Sequence, residues 1–314
     1  MVEAFRDRFH PQVFSTFQTL IAGWIICLGP RTISEVWQAT GLAAKRHHDT
    51  AYAVFRSACW EGGDLGIVLA TLILTHLVPG GVVWVVVDDT LCHKRGAKVA
   101  FGGIFLDAVL SSKKHKTFRF GLNWVVLGLA VPIPLRTDRY YCLPVLWRLY
   151  RKKGSEGYRA RPQTAAALAR KLAEVNPERT FWLVGDSAYV NAAVLQDRPA
   201  NLQVIGPLHW KAALYGRPAP RQPKQRGAWR QKGDRLPNPK AMIEDTKTYP
   251  AELLTIGFPK QVRRLRVQCR WSGTCSGTRE ARPIRWRWYW SATRWANGGT
   301  RRWWRPTRVP RRPS

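Results

Sequence analysis

Apolar residues recur at helical spacing near the start of the chain, at Phe5, Phe9, Val13, Phe14, Phe17, Leu20 and Ile21. That period predicts one or two amphipathic helices. Thr32 followed by Glu35 has the form of a capping box, and predicts a helix through Val36, Trp37 and Ala39 that Gly41 breaks. A second helix is predicted from about His47 through Tyr52, Val54, Phe55 and Ala58. Helix, glycine turn, helix is the outline of a helix-turn-helix. An ordinary helical hairpin fits the same pattern, and the two readings stay open. Adjacent His47 and His48 would point about 100° apart on a helix, which argues against a shared metal. The apolar stretches at 20–28 and 65–87 are both interrupted, the second by His76 and Pro79-Gly80-Gly81. Neither is a clean span of roughly 20 apolar residues, so core helices and a strand are expected and no membrane segment.

The pattern changes at residues 82–90, VVWVVVDDT. A continuous, mostly β-branched run after Pro79-Gly80-Gly81 predicts a strand buried on both faces. It ends in Asp88 and Asp89, whose like charges call for a counter-charge. A divalent cation with oxygen ligands is one remedy; capping or solvent is the plainer one, because Asp favours strand ends and turns. Residues 91–98 then predict a basic loop or hairpin turn, and 99–105 further strand. Residues 118–129 and 131–134 predict another strand or two, ended by Pro132 and Pro134, while 143–150 has a mixed pattern. Residues 163–175, QTAAALARKLAEV, hold strong helix formers with Leu168, Leu172 and Val175 on one face, and Asn176-Pro177 stops them. A strand is predicted at 180–184 with Asp186 just beyond it, then a helix from about Asn191 to Leu195 and a strand at 202–205.

This alternation predicts an α/β core with parallel strands, whose ligand sites gather beyond the carboxyl ends of the strands. Asp88, Asp89 and Asp186 all fall there. Carboxylates from separate strand ends can share hard cations such as Mg²⁺ or Mn²⁺, the arrangement behind two-metal phosphodiester hydrolysis or transfer. Taken alone, Asp186 reads better as a turn or helix-cap residue.

Charge narrows the partner. With 51 basic against 20 acidic residues, the formal charge is +31. Such an excess favours a polyanion, and nucleic acid first. Arg46 and His47 in the helical region, Lys94 and Arg95 after the acidic strand, and Lys113, Lys114 and Lys116 in the stretch SSKKHK are the candidate phosphate contacts. A solvated basic loop is the alternative for each. The six Cys lie far apart without a CxxC pair, which fits reduced thiols in a cytoplasmic setting rather than a zinc site or a disulfide framework.

The residues VVVDDT at 85–90, FGLNWVVLGL at 120–129 and LVGDSAY at 183–189, in that order and spacing, resemble insertion-sequence transposases of the DDE class. The resemblance covers about residues 1–265. It implies an RNase H-like mixed sheet with flanking helices, preceded by a helical N-terminal region and followed by an irregular basic tail. It implies three acidic residues binding two Mg²⁺ (or Mn²⁺) ions, cutting of double-stranded DNA at transposon ends and joining to target DNA. It also implies a bacterial, nucleoid-associated location and raises the question of a homodimer. The family's first acid falls on Asp89, with Asp88 as an offset of one, and the second on Asp186. The third, a Glu on a late helix, has no match: Glu244 and Glu252 precede the expected strand at 262–268, and Glu280 stands in a segment without helical pattern.

The expected division is therefore 1–80 helical and DNA-binding, 81–268 catalytic with a Pro/Arg-rich insertion near 211–240, and 269–314 an irregular, disordered Arg/Trp-rich tail. From Trp271 onward the tail holds seven of the 16 Trp, eleven Arg, no Lys and one acid. It has neither hydrophobic period. It reads either as a nucleic-acid tail, with Arg on phosphate and Trp on bases, or as the product of a GC-rich gene read out of frame. The second reading implies a transposase remnant whose catalysis is impaired. The rivals are a non-catalytic DNA-binding protein and a generic metal nuclease without strand transfer.

Overall fold

The computed structural model describes residues 1–96, 98–112, 114–195, 197–207, 212–216, 219, 227 and 233–245, together with strand segments at 252–258, 261–267, 274–275 and 284–285. The chain divides into two compact units, residues 1–184 with 199–203, and residues 185–198 with 204–314.

The first unit opens with a short 3-10 helix and then α1 (Pro11–Ile26), α2 (Ile33–Ala39), α3 (Asp49–Arg56) and α4 (Gly62–His76). Thr32 caps α2 as its spacing predicts, accepting from the Glu35 N–H at 3.3 Å. Gly41 adopts a left-handed φ of 72° and ends the turn that follows. Helices α1 to α3 enclose Leu20, Cys27, Val36, Trp37, Ala51 and Val54. The close approach of α1 to α2 depends on Gly23: a Cβ there would lie 2.6 Å from the Val36 carbonyl oxygen. The Trp37 indole N–H donates to the Arg46 carbonyl at 3.1 Å and ties the α2–α3 connection to the core.

A mixed sheet fills the rest of the unit. Its central strand is β1 (Val83–His93). On one side β1 pairs antiparallel with β3 (Phe118–Ile133), Asp89 opposite Val125 and His93 opposite Gly121. On the other it pairs parallel with β5 (Phe181–Val184), Val86 opposite Val184. The far edge of β3 carries β2 (Gly103–Leu106) along its first residues and β4 (Arg136–Leu149) along the remainder. Strand β6 (Leu202–Ile205) follows β5 in the order β2-β3-β1-β5-β6. Helix α5 (Arg161–Val175) buries Ala165, Ala169 and Leu172. The architecture is thus the mixed α/β sheet with flanking helices expected of the RNase H-like class.

Several local expectations need correction. Strand β1 is buried on one face rather than two: Val83, Val85 and Val87 are fully enclosed, worth about 1.5–3 kcal/mol each, while Trp84 is exposed. Antiparallel β3 on one side and parallel β5 on the other fix its pleat, so alternate residues separate despite the unbroken apolar run. Leu91, Cys92 and His93 remain strand, because β3 is long enough to pair with them, and the turn begins only at Lys94. Strand β2 starts at Gly103, later than expected. Pro132 does not end β3: it lies beside a register shift, where a missing N–H is tolerated. The mixed pattern at 143–150 belongs to strand β4, whose irregular pairing at Leu127/Gly128 explains the broken alternation.

The second unit contains α6 (Ala192–Leu195), α7 (Pro239–Glu244) and an antiparallel pair, β7 (Glu252–Phe258) with β8 (Gln261–Val267). Thr274–Cys275 pairs with Ile284–Arg285. Most of the expected insertion at 211–240, Glu280 and nearly all of the tail lie outside the described residues. Among the described residues no helix is long and apolar enough to cross a membrane, and Cys27, Cys59, Cys92 and Cys142 are free thiols.

Candidate active site

Alternation along β1 separates its two acids. Asp89 continues the face of Val83, Val85 and Val87, and Asp88 continues that of Trp84 and Val86. Asn123 stands on the same face of β3 as buried Val125 and Leu127, and is itself 2% exposed. Its amide nitrogen donates to Asp89 Oδ2 at 3.1 Å, and its amide oxygen accepts from Arg161 Nε at 3.0 Å. Arg161 opens α5 and lies 3.5 Å from the same Asp89 oxygen. The side chains of Asp89 and Arg161 are each about one-third exposed, at 34% and 35%. Both acids lie within the central strand rather than beyond its end, because pairing with β3 carries β1 on to His93; the Asp89 carboxylate is there braced by a buried amide and faced by a guanidinium. Asp88 turns back on its own strand, Oδ1 accepting the Asp89 N–H at 2.8 Å.

The Arg161 guanidinium also lies 4.5 Å from the centre of the Tyr150 ring. Tyr150 is placed by its N–H bond to the Asn123 carbonyl, 2.8 Å. One residue of β3 thus positions, through side chain and backbone, both the acid and the aromatic against which the arginine rests. Tyr150 and Arg161 do not stand out in the sequence, and Asn123 does so only as part of the stretch FGLNWVVLGL. Asn123 is a lone polar position in an apolar strand, and that was the signal: a buried amide inside a sheet needs partners.

At the same end of the sheet, His93 Nε2 bonds Asp107 Oδ2 at 2.6 Å. Asp107 also accepts the N–H groups of Val109 and Leu110, both at 3.0 Å. The Leu110 N–H, first, then His93 and Val109 hold its carboxyl below the usual aspartate range against the opposing effect of burial. This pins the start of the β2–β3 loop to the end of β1. Lys94 and Arg95 leave β1 there, and Lys114 and Lys116 are exposed in that loop. Lys113 lies outside the described residues. Arg46 and His47 are exposed on the α2–α3 connection of the same unit; the His47 ring accepts the Asp49 N–H at 3.3 Å.

Asp186 lies in the second unit, two residues beyond the end of β5. Its Oδ1 accepts the Ala188 N–H at 2.8 Å and its carbonyl the Tyr189 N–H at 3.1 Å, so it shapes a turn. Among the described residues no group of three or more His, Cys, Asp and Glu side chains is gathered to hold a metal. The donors offered by Asp88 and Asp89 are carboxylate oxygens alone, which in kind suit a hard divalent cation.

The sequence matches the family of DDE superfamily endonucleases over residues 4–277. The chain belongs to that family. A solved structure similar to part of the chain is that of a piggyBac transposase synaptic complex with hairpin DNA: identity is 10% and the TM-score 0.33, over 64% of this chain and 42% of that one. The chain therefore spans less than half the length of that structure's chain. No curated protein matches the sequence significantly.

Proposed function

We propose that the chain is a DNA transposase of the DDE class, with Asp89 as its first catalytic acid, Asp88 as that acid's immediate neighbour and Asp186 as the second. The observation that carries this reading is the brace at Asp89. A solvent-reachable carboxylate is held in one orientation by buried Asn123 and by Arg161, on the central strand of a DDE superfamily chain. The parallel pairing of β1 with β5 supports it, since Val86, two residues before Asp88, pairs with Val184, two residues before Asp186.

Asp89, Asp88 and Asp186 would hold Mg²⁺ or Mn²⁺, which in this class of chemistry activates the attacking oxygen and stabilises the leaving one. The chain's own contribution is positioning. Asn123 fixes the Asp89 carboxylate, and Arg161 balances its charge while presenting N–H donors to a phosphate. Lys94, Arg95, Lys114 and Lys116, with Lys113, would contact the backbone of double-stranded DNA at transposon ends and target. Arg46 and His47 would add contacts from the helical region.

The lack of a sequence match for the third acid favours a second reading: this copy binds DNA but is catalytically impaired. Incubation with DNA bearing candidate terminal repeats, with and without Mg²⁺, separates the two. Metal-dependent nicking that disappears in Asp89→Ala and Asp186→Ala supports the enzyme. Binding without nicking in either condition supports the impaired remnant. Absence of any DNA binding refutes both.

A further inference from the structure

Beside the Asp89 brace, the segment that follows β4 gathers cations onto aromatic rings. Arg151 sits 4.2 Å above the centre of the Phe101 ring. Lys152 lies 5.5 Å from the centre of Phe105, and Arg161 lies 6.0 Å from that same ring. Phe105 meets Tyr150 edge-on with centroids 5.9 Å apart, and Tyr150 meets Tyr158 edge-on at 6.3 Å. The inner rings form the base: Phe105 is 7% exposed, whereas Phe101 is 48% and Tyr158 40% exposed. Phe101 is held at a φ of 59°, an uncommon conformation for a bulky residue. Strain of this kind persists where the surroundings impose it and tends to mark functional sites. Arg151 closes the 151–156 turn by donating to the Glu156 carbonyl at 2.9 Å.

We infer that this platform binds unpaired nucleotides of the DNA strand next to the phosphodiester at Asp89. The inference rests on the DNA reading above and specifies it. Phe101 and Tyr158 offer ring faces to bases, and Arg151, Lys152 and Arg161 offer N–H donors to the intervening phosphates. Stacking needs a free base face, which paired bases in a continuous duplex do not present. A basic patch alone would take any duplex, whereas a basic patch floored with half-exposed rings prefers single strands. Arg161 touches both the acid and the platform, so a strand lying on the rings would pass the carboxylate.

The test is binding by the full chain in metal-free buffer, so that cleavage plays no part. Fluorescence anisotropy compares a blunt duplex with the same duplex carrying a short unpaired extension. Wild type is expected to bind the extended DNA more tightly. Phe101→Ala and Tyr158→Ala should each weaken it roughly 5- to 150-fold for every base that no longer stacks, and leave the blunt duplex unchanged. Arg151→Gln should lower the salt dependence of extended-DNA binding by about 0.7 for each phosphate it no longer neutralises. Equal affinity of wild type for the two DNAs overturns the platform and leaves the transposase reading standing. So does an equal loss on both DNAs in the ring variants. Failure to bind either DNA overturns both.

Discussion

Asn123→Ala is the sharpest test of the brace. The substitution removes a donor to Asp89 Oδ2 and an acceptor from Arg161 Nε, and leaves the Asn123 backbone bond to Tyr150 in place. A hydrogen bond to a charged group is worth about 1.5–3 kcal/mol when its loss leaves the charge buried. Here both charges are about one-third exposed, so water can replace part of what is lost and the figure falls to about 1 kcal/mol for each. The expected destabilisation is about 2 kcal/mol. Urea unfolding should show a lower midpoint with an unchanged slope. A cycle with Arg161→Met should give a coupling of about 0.5–1 kcal/mol, since the two side chains share a bond. A loss of less than about 0.5 kcal/mol together with no coupling would refute the claim that Asn123 organises this corner.

Gly23→Ala should destabilise the helical layer by about 1–3 kcal/mol, because its methyl would collide with the Val36 carbonyl backbone; thermal unfolding reads it. Asp64 and Lys171 bond at 2.9 Å with both side chains well exposed, and Asp64→Asn should cost no more than about 1 kcal/mol and less in high salt. Asp107 has its folded pKa lowered, chiefly by the Leu110 N–H. Its contribution is therefore complete above the unfolded aspartate value and disappears as pH falls through the lower folded one. Protection of the Val109 and Leu110 amides, taken relative to their intrinsic exchange rates, should be full above the unfolded aspartate value and fall below it, and Asp107→Asn should abolish that change in protection.

Much of this was legible in the chain, for identifiable reasons. The Thr32–Glu35 spacing, Gly41, and the Ala/Leu/Lys/Glu run of α5 are local signals, and local physics suffices to produce those elements. Strands β1, β5 and β6 announce themselves as short apolar runs. What stayed hidden is set by partners distant in sequence. Strand β4 has no clean alternation because its register shifts against β3, and the length of β3 past Pro132 depends on that neighbour. The site divides in the same way. Asp88, Asp89 and Asp186 are visible as acids that follow apolar runs, although β1 continues past the first two to His93 because β3 is long enough to pair with it. Asn123, Tyr150 and Arg161 acquire meaning only when β3, β4 and α5 bring together residues 34 to 38 positions apart, the separations of the Asn123–Asp89 and Asn123–Arg161 bonds.

The adjacency of Asp88 and Asp89 also conceals an inequality that the fold imposes. Two consecutive residues of a strand point to opposite faces. The face of β1 that belongs to Asp89 carries a buried amide beside its acid and a helix start bearing an arginine. Asp88 is placed to receive the N–H of Asp89, a local bond of the kind short polar side chains make with nearby backbone. Asp89 is instead held by groups from two other elements, whose own positions depend on the packing of β3 and α5. Conformational restriction imposed from several sides is what a reacting carboxylate requires, because misplacement of a catalytic group by as little as 1 Å can cost about 10²-fold in rate. The fold thus places the two acids differently, and Asp89 is the one whose orientation side chains of β3 and α5 fix.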